Sequence, residues 1–296
     1  MNGKVFLLAA MTLGAACAKP APDPSVRNMA PVPPPIAATG AGQPTGQAEG
    51  WTLAFADEFE GTSLDGRKWV TCYWWNKDGC TNLGNRELQW YQPGNVTVAG
   101  GQLRLRAEPA QAKGHNGAVY DYTSGLVSTG RDVDDVTHPV RYAFKYGFTE
   151  MRARLPAGRG LLPAFWMLPT DHTYDPEIDI MEMLGQDPHV LYGTLHYRAE
   201  LAGALTPRGV VRTPDLSADW HVFGLEWGPD RLVWYLDGAE WWSYANADHT
   251  PHQPMYLLVN LAVGGNWPGS PDGSTRWPAD MHVDYVRVWK RNEQKN

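Results

Sequence analysis

Three carboxylates interrupt an otherwise apolar run at Glu177-Ile178-Asp179-Ile180-Met181-Glu182. In an extended strand alternate side chains share a face, so Glu177 and Asp179 point the same way. Glu182 stands five residues beyond Glu177, an odd offset that a regular strand sends to the opposite face. One extra residue, a β-bulge around Ile180-Met181, corrects the parity and collects all three acids on one surface. Two glutamates around an aspartate could supply a nucleophile, a proton donor and a tuning group, the set that retaining cleavage of a glycosidic bond requires. Three acids on one strand face cannot lie against a dry core, because burying unpaired carboxylates is costly. They line a polar groove, meet cations or bind metal. Residues 172–197 contain no Lys or Arg to neutralise them. Three acids fixed on one strand also make an awkward calcium cage.

The elements that must hold these acids read as strands. Leu103, Leu105 and Ala107 alternate with polar neighbours after Gly100-Gly101. Asp237-Gly238 between Leu232–Leu236 and Glu240–Tyr244 is a hairpin signal. Phe144–Leu155, Met255–Val263 and Met281–Trp289 are further strands, and no long segment keeps a helical period. The expected fold is all-β: a two-sheet antiparallel jelly-roll sandwich with a concave face able to hold a polysaccharide.

The chain of 296 residues carries a net charge of −7 and no basic cluster, which argues against a nucleic-acid partner. Its 14 Trp and 13 Tyr against 7 Phe suit both a Trp-rich core and surfaces that stack on sugar faces. Lys4 and the apolar stretch Val5 to Ala16 form an export signal too short to span a bilayer. Gly14-Ala15-Ala16-Cys17 resembles a lipoprotein box with Cys17 as the lipidation point; cleavage after Ala18 is the rival. The product is therefore secreted, periplasmic or lipid-anchored to a membrane. Residues 19–50 are rich in Pro, Ala and Gly and read as a solvated spacer. One domain is expected over residues 51–290, with a polar tail at 291–296. With Cys17 lipidated or removed, Cys72 and Cys80 remain to close a short disulfide loop.

From Trp51 to Lys290 the sequence resembles glycoside hydrolase family 16, the laminarinase-like enzymes. The resemblance rests on ordered motifs: Phe55-Ala56-Asp57-Glu58-Phe59, Asn85-Arg86-Glu87-Leu88-Gln89-Trp90-Tyr91, Tyr122-Thr123-Ser124-Gly125 and Tyr146-Gly147-Phe148-Thr149-Glu150. It continues through Pro163-Ala164-Phe165-Trp166-Met167-Leu168, the acid run, Gly193-Thr194-Leu195-His196, the loop Asn260 to Gly269 and Val283-Asp284-Tyr285-Val286-Arg287-Val288. It implies a retaining endo-hydrolase in which Glu177 is the nucleophile, Glu182 the acid/base and Asp179 the residue that tunes them. Trp166 would floor the reacting sugar. His196 would bond Glu182 or the substrate. Asn85, Arg86 and Trp90 would touch the glycone side, where Glu87 could instead pair with Arg86, and Asn266 and Trp267 would border the cleft. No cofactor is implied for catalysis, and a structural calcium would fall on Glu58, the Gly101 carbonyl and Asp284.

Two departures bear on the substrate. Leu162 stands where many laminarinases carry Trp, and the Cys72…Cys80 segment is an elaborated loop. The expected activity is endo-β-1,3-glucan hydrolysis by a monomer. Mixed-linkage glucan, galactan and exopolysaccharide are the neighbouring substrates, and a carbohydrate-binding sandwich without hydrolysis is the rival of another class.

Overall fold

The computed structural model describes residues 27–28, 40–73, 79–133, 135, 137–171, 175–199 and 203–292. The expected leader with Cys17 lies outside them, as do Trp74, Trp75 and the last four residues. Among the described residues the chain is nearly all strand, with a single 3-10 turn at Pro93–Asn95. The strands begin β1 (Arg27–Asn28), β2 (Trp51–Asp57), β3 (Gln89–Tyr91), β4 (Val96–Ala99), β5 (Gln102–Lys113) and β6 (Val119–Ser124). Next come β7 (Leu126–Ser128), β8 (Gly147–Arg154), β9 (Leu161–Pro169), β10 (Glu177–Glu182), β11 (Val190–Ala199) and β12 (Gly203–Leu205). The last are β13 (Arg208–Arg212), β14 (His221–Trp227), β15 (Arg231–Leu236), β16 (Ala239–Ala245), β17 (Met255–Val263) and β18 (Ala279–Arg291).

They form two sheets. One runs β1-β13-β11-β10-β9-β17-β7, with β12 on β11; the other runs β16-β15-β14-β8-β18-β5-β6-β3, with β2 on β18 and β4 on β5. Neighbours are antiparallel except for the pairs β1–β13 and β3–β6. The core lies between the sheets: Phe165, Met167, Ile178, Leu195, Leu257 and Leu261 of one meet Met151, Leu225, Trp234, Val286 and Val288 of the other. Trp234 reaches across, its indole N–H donating to the Asp179 carbonyl at 2.8 Å, and so ties the acid strand to the opposite sheet. A smaller apolar cluster covers part of the first sheet's outer face. There the Cys72–Cys80 disulfide loop, with Tyr73, packs against Trp166, Leu168, Tyr256 and Leu258.

The spacer ends earlier than residue 50. Thr45 is buried and gives its backbone N–H and hydroxyl to Glu150, Gly46 abuts Gly238, and Trp289 donates to the Ala41 carbonyl. Residues 40–50 therefore lie against the second sheet, where Thr45 adds two donors to the one that Tyr285 of β18 gives the nearly inaccessible Glu150. Composition alone made this stretch look solvated.

Candidate active site

The parity of β10 is broken where the chain must break it. Asp179 faces Trp166, but Met181 faces Phe165, so β10 advances two residues where β9 advances one. The same slip appears against β11, where Asp179 opposes Thr194 and Glu182 opposes Tyr192. Ile180 and Met181 both enter the core, at 1% and 0% exposure, as two successive residues do only at a bulge. Glu177, Asp179 and Glu182 consequently share the outer face and line one depression with His196, Asn85, Glu87 and Leu162.

Charge is distributed unevenly among the acids. His196 stands opposite Glu177 on β11, its Nε2 3.0 Å from Asp179 and 3.7 Å from Glu177. The histidine therefore serves Asp179 and Glu177, not Glu182 as one sequence option had it, because register sets it two residues along β11 from the Asp179 row. Burial opposes its charge, but the hydrogen bond and charge of Asp179 win and raise its pKa. Burial first, then the charges of Asp179, Glu182 and Asp175, push Glu177 well above the usual carboxylate range. Burial and Asp179 push Glu182 upward too, against an opposing pull from Arg208. Two raised glutamates beside an aspartate cannot both ionise early, so the cluster holds a proton beyond the usual carboxylate range. The two glutamates titrate as one cluster, with His196 on the Glu177 side and Arg208 on the Glu182 side.

The walls differ on the two sides of the acids. On one side Trp166 lies nearly buried, its indole donating to Asn260 Oδ1 at 2.7 Å, with Tyr73 edge-on at 6.2 Å. On the other side Arg208, Asn266, Trp267 and Pro268 form the wall. Gly264 and Gly265, with φ of 72° and 119°, turn the chain out of β17 toward that wall. A Cβ on Gly264 would sit 2.4 Å from Leu88. The Asn266 N–H then binds the Asn85 carbonyl at 2.8 Å, joining the two loops across the cleft.

Several expected contacts lie elsewhere. Trp90 is buried, packed against Tyr120 and His115, so it supports the disulfide loop instead of presenting a face to sugar. Arg86 is exposed in the turn, and Glu87 does not pair with it. Glu87 accepts from Gln89 Nε2 at 2.6 Å and from the Asn82 N–H at 3.2 Å, and burial raises its pKa to about 7. Sequence reasoning missed Asn260, Tyr73 and Arg208 as cleft residues. Asn260 alone left a trace, a polar residue inside an apolar strand.

The carboxylates at the expected calcium positions are engaged by arginines. Arg287 grips both oxygens of Glu58 at 2.7 Å, and Arg152 holds Asp284 at 2.8 Å. Beside Gly101 the nearest carboxylate belongs to Glu60. Each expected carboxylate ligand is thus paired with an arginine.

A two-sheet sandwich with an acid cluster on its outer face defines the class of polysaccharide-cleaving jelly rolls. The family described as glycosyl hydrolases family 16 matches residues 95–287, and the chain belongs to it. It is 40% identical to endo-1,3-1,4-beta-glycanase EglC of Rhizobium meliloti over 80% of this chain, though it spans about half, 51%, of that protein. A beta-glucanase of Rhodothermus marinus is 36% identical, with 82% of this chain and 87% of that protein covered. The laminarinase catalytic domain of Thermotoga maritima superposes with a TM-score of 0.71 at 34% identity, covering 83% of this chain and all of that one.

Proposed function

We propose that the protein is a retaining endo-glycosidase that cleaves internal β-1,3-glucosidic bonds. The observation that carries this is the bulge at Ile180, which sets Glu177, Asp179 and Glu182 on one open face beneath a cleft. Glu182 donates a proton to the leaving oxygen while Glu177 attacks the anomeric carbon, giving a covalent glycosyl-enzyme. Glu182 then takes a proton from the water that displaces Glu177, and the β-configuration is restored. Asp179, bonded to His196, fixes the charge between them, and Trp166 floors the sugar being attacked. The glucanase and laminarinase names of its relatives support β-glucan as substrate. Mixed-linkage glucan is the second reading, favoured by Leu162, which takes an aromatic's place on the cleft floor.

Purified protein should release reducing ends from laminarin ahead of lichenan, agarose or galactan, and NMR should find the β-anomer first. Glu177→Gln should abolish turnover. Glu182→Gln should lose about 10²- to 10⁴-fold on glucan yet keep the first step for aryl glycosides with good leaving groups, with azide rescuing the second. Identical behaviour of the two variants on activated substrates, or α-product first, would refute the roles.

The reading includes export. The leader and the Cys72–Cys80 bond, which persists in oxidising compartments, support it. If Cys17 is lipidated, Cys17→Ala should move the protein out of the membrane fraction.

A further inference from the structure

Arg208 begins β13 and pairs with Thr194, which pairs with Asp179, which pairs with Trp166. Residues opposite one another in antiparallel strands point to one face, so these four form a row across the cleft with Arg208 on the far side of the acids from Trp166. The guanidinium lies over the Trp267 ring at 5.4 Å, and Trp267 meets Tyr192 edge-on at 4.9 Å. Trp267 is 36% exposed, one of few large apolar side chains left open to solvent. The arginine is thus braced by an aromatic and lines the cleft.

Its charge acts on Glu182 without a salt-bridge contact. Arg106, Arg152, Arg231, Arg287 and Arg291 each hold a carboxylate at 3.0 Å or less. No described carboxylate makes salt-bridge contact with Arg208, although Glu177, Asp179 and Glu182 line the same depression. A hydroxyl of a neutral sugar needs only a neutral donor. A full guanidinium, matched to planar anions, is over-specified for that task.

We propose that Arg208 is the specificity-determining residue on the leaving-group side of the cleft, selecting β-glucan chains that carry a carboxylate-bearing substituent on the sugar beyond the scissile bond. The proposal rests on the reading of the cleft as a β-glucan hydrolase. The electrostatics support it. Glu182 feels Glu177 and Asp179 from its own strand, His196 and Tyr192 from β11, Glu87 from the facing loop and Arg208 from β13. Arg208 pulls its pKa down, against the need of a proton donor. A bound carboxylate offsets that pull and so adds to the rise that burial and Asp179 already give Glu182.

The test compares reduced laminarin with its carboxymethylated derivative. The wild-type protein should favour the carboxymethylated chain by about tenfold in kcat/KM, the order a charge-assisted hydrogen bond gives. Arg208→Gln should bring the ratio near one, and Arg208→Lys should keep part of it. With the charged substrate the alkaline limb of kcat should lie above that of kcat/KM, and in Arg208→Gln the two should coincide. Laminarin hydrolysis without preference for the charged chain overturns the proposal, as does a preference that survives Arg208→Gln. Failure of both substrates would instead overturn the β-glucanase reading, and this proposal with it.

Discussion

His196 holds its charge against Asp179 and Glu177, and removing it has a definite sign. Without the neighbouring cation the carboxylates ionise less readily, so in His196→Gln the acidic limb of the activity profile should move to higher pH. A limb left in place, read from kcat/KM between pH 4 and 7, would mean that the histidine only packs. Glu87 offers a second test, read as stability. Its pKa of about 7 in the fold exceeds the ordinary 4.5, so the folded protein binds the proton that the unfolded chain releases. Its contribution is complete below the unfolded value and is lost as pH climbs through about 7, by up to about 3 kcal/mol. Denaturant unfolding at pH 5 and pH 8 should show this loss in the wild type and a flatter dependence in Glu87→Gln. The acids were legible in the sequence because charge inside an apolar strand has few explanations. Trp90 was misjudged because a tryptophan beside polar residues suits a core as well as a sugar. Arg208 left no local signal at all, since its neighbours Trp267 and Tyr192 come from distant strands and loops.

At the scale of elements, the bulge is the device on which the site depends. Deleting Met181 leaves Glu-x-Asp-x-Glu, an even spacing that a regular strand keeps on one face. The variant should fold and retain measurable hydrolysis, at a cost of about 2–5 kcal/mol for the buried side chain it loses. A folded but inactive deletion variant, beside an active Glu182→Gln, would show that the chemistry does not need Glu182 where the bulge puts it. The strands themselves were largely readable. Met255–Val263 is β17 to the residue, and the Asp237-Gly238 hairpin joins β15 to β16. Phe144–Leu155 overreached, because Gly147 at φ 137° admits no side chain against the Trp289 carbonyl and β8 starts only there. The Cys72–Cys80 bridge and Tyr73 stand on the Trp166 side, and reducing the bond should cost roughly 2–3 kcal/mol in the chain-entropy model. Thermal unfolding with and without reductant reads that difference.

At the scale of the molecule, the domain is larger than its motifs suggest. Residues 40–50 lie across the second sheet, and Thr45 supplies Glu150 with two of its hydrogen bonds. A protein beginning at residue 51 should therefore unfold several degrees lower than one beginning at residue 40, as expected for about 1–3 kcal/mol of lost satisfaction at a buried carboxylate. Equal melting temperatures would return this stretch to the spacer. Such packing is invisible in a run of Pro, Gly and Ala because its partner, Glu150, lies more than a hundred residues downstream.

β18, thirteen residues long and later in sequence than every strand it joins, is the central rib of the second sheet and pairs with β2, β5 and β8. That sheet closes only once β18 is present, because three earlier strands share it as a partner. Contacts so distant in sequence also close slowly. The second sheet is thus knitted by a strand that follows every partner it joins, so its pieces stay apart until that one segment threads between them.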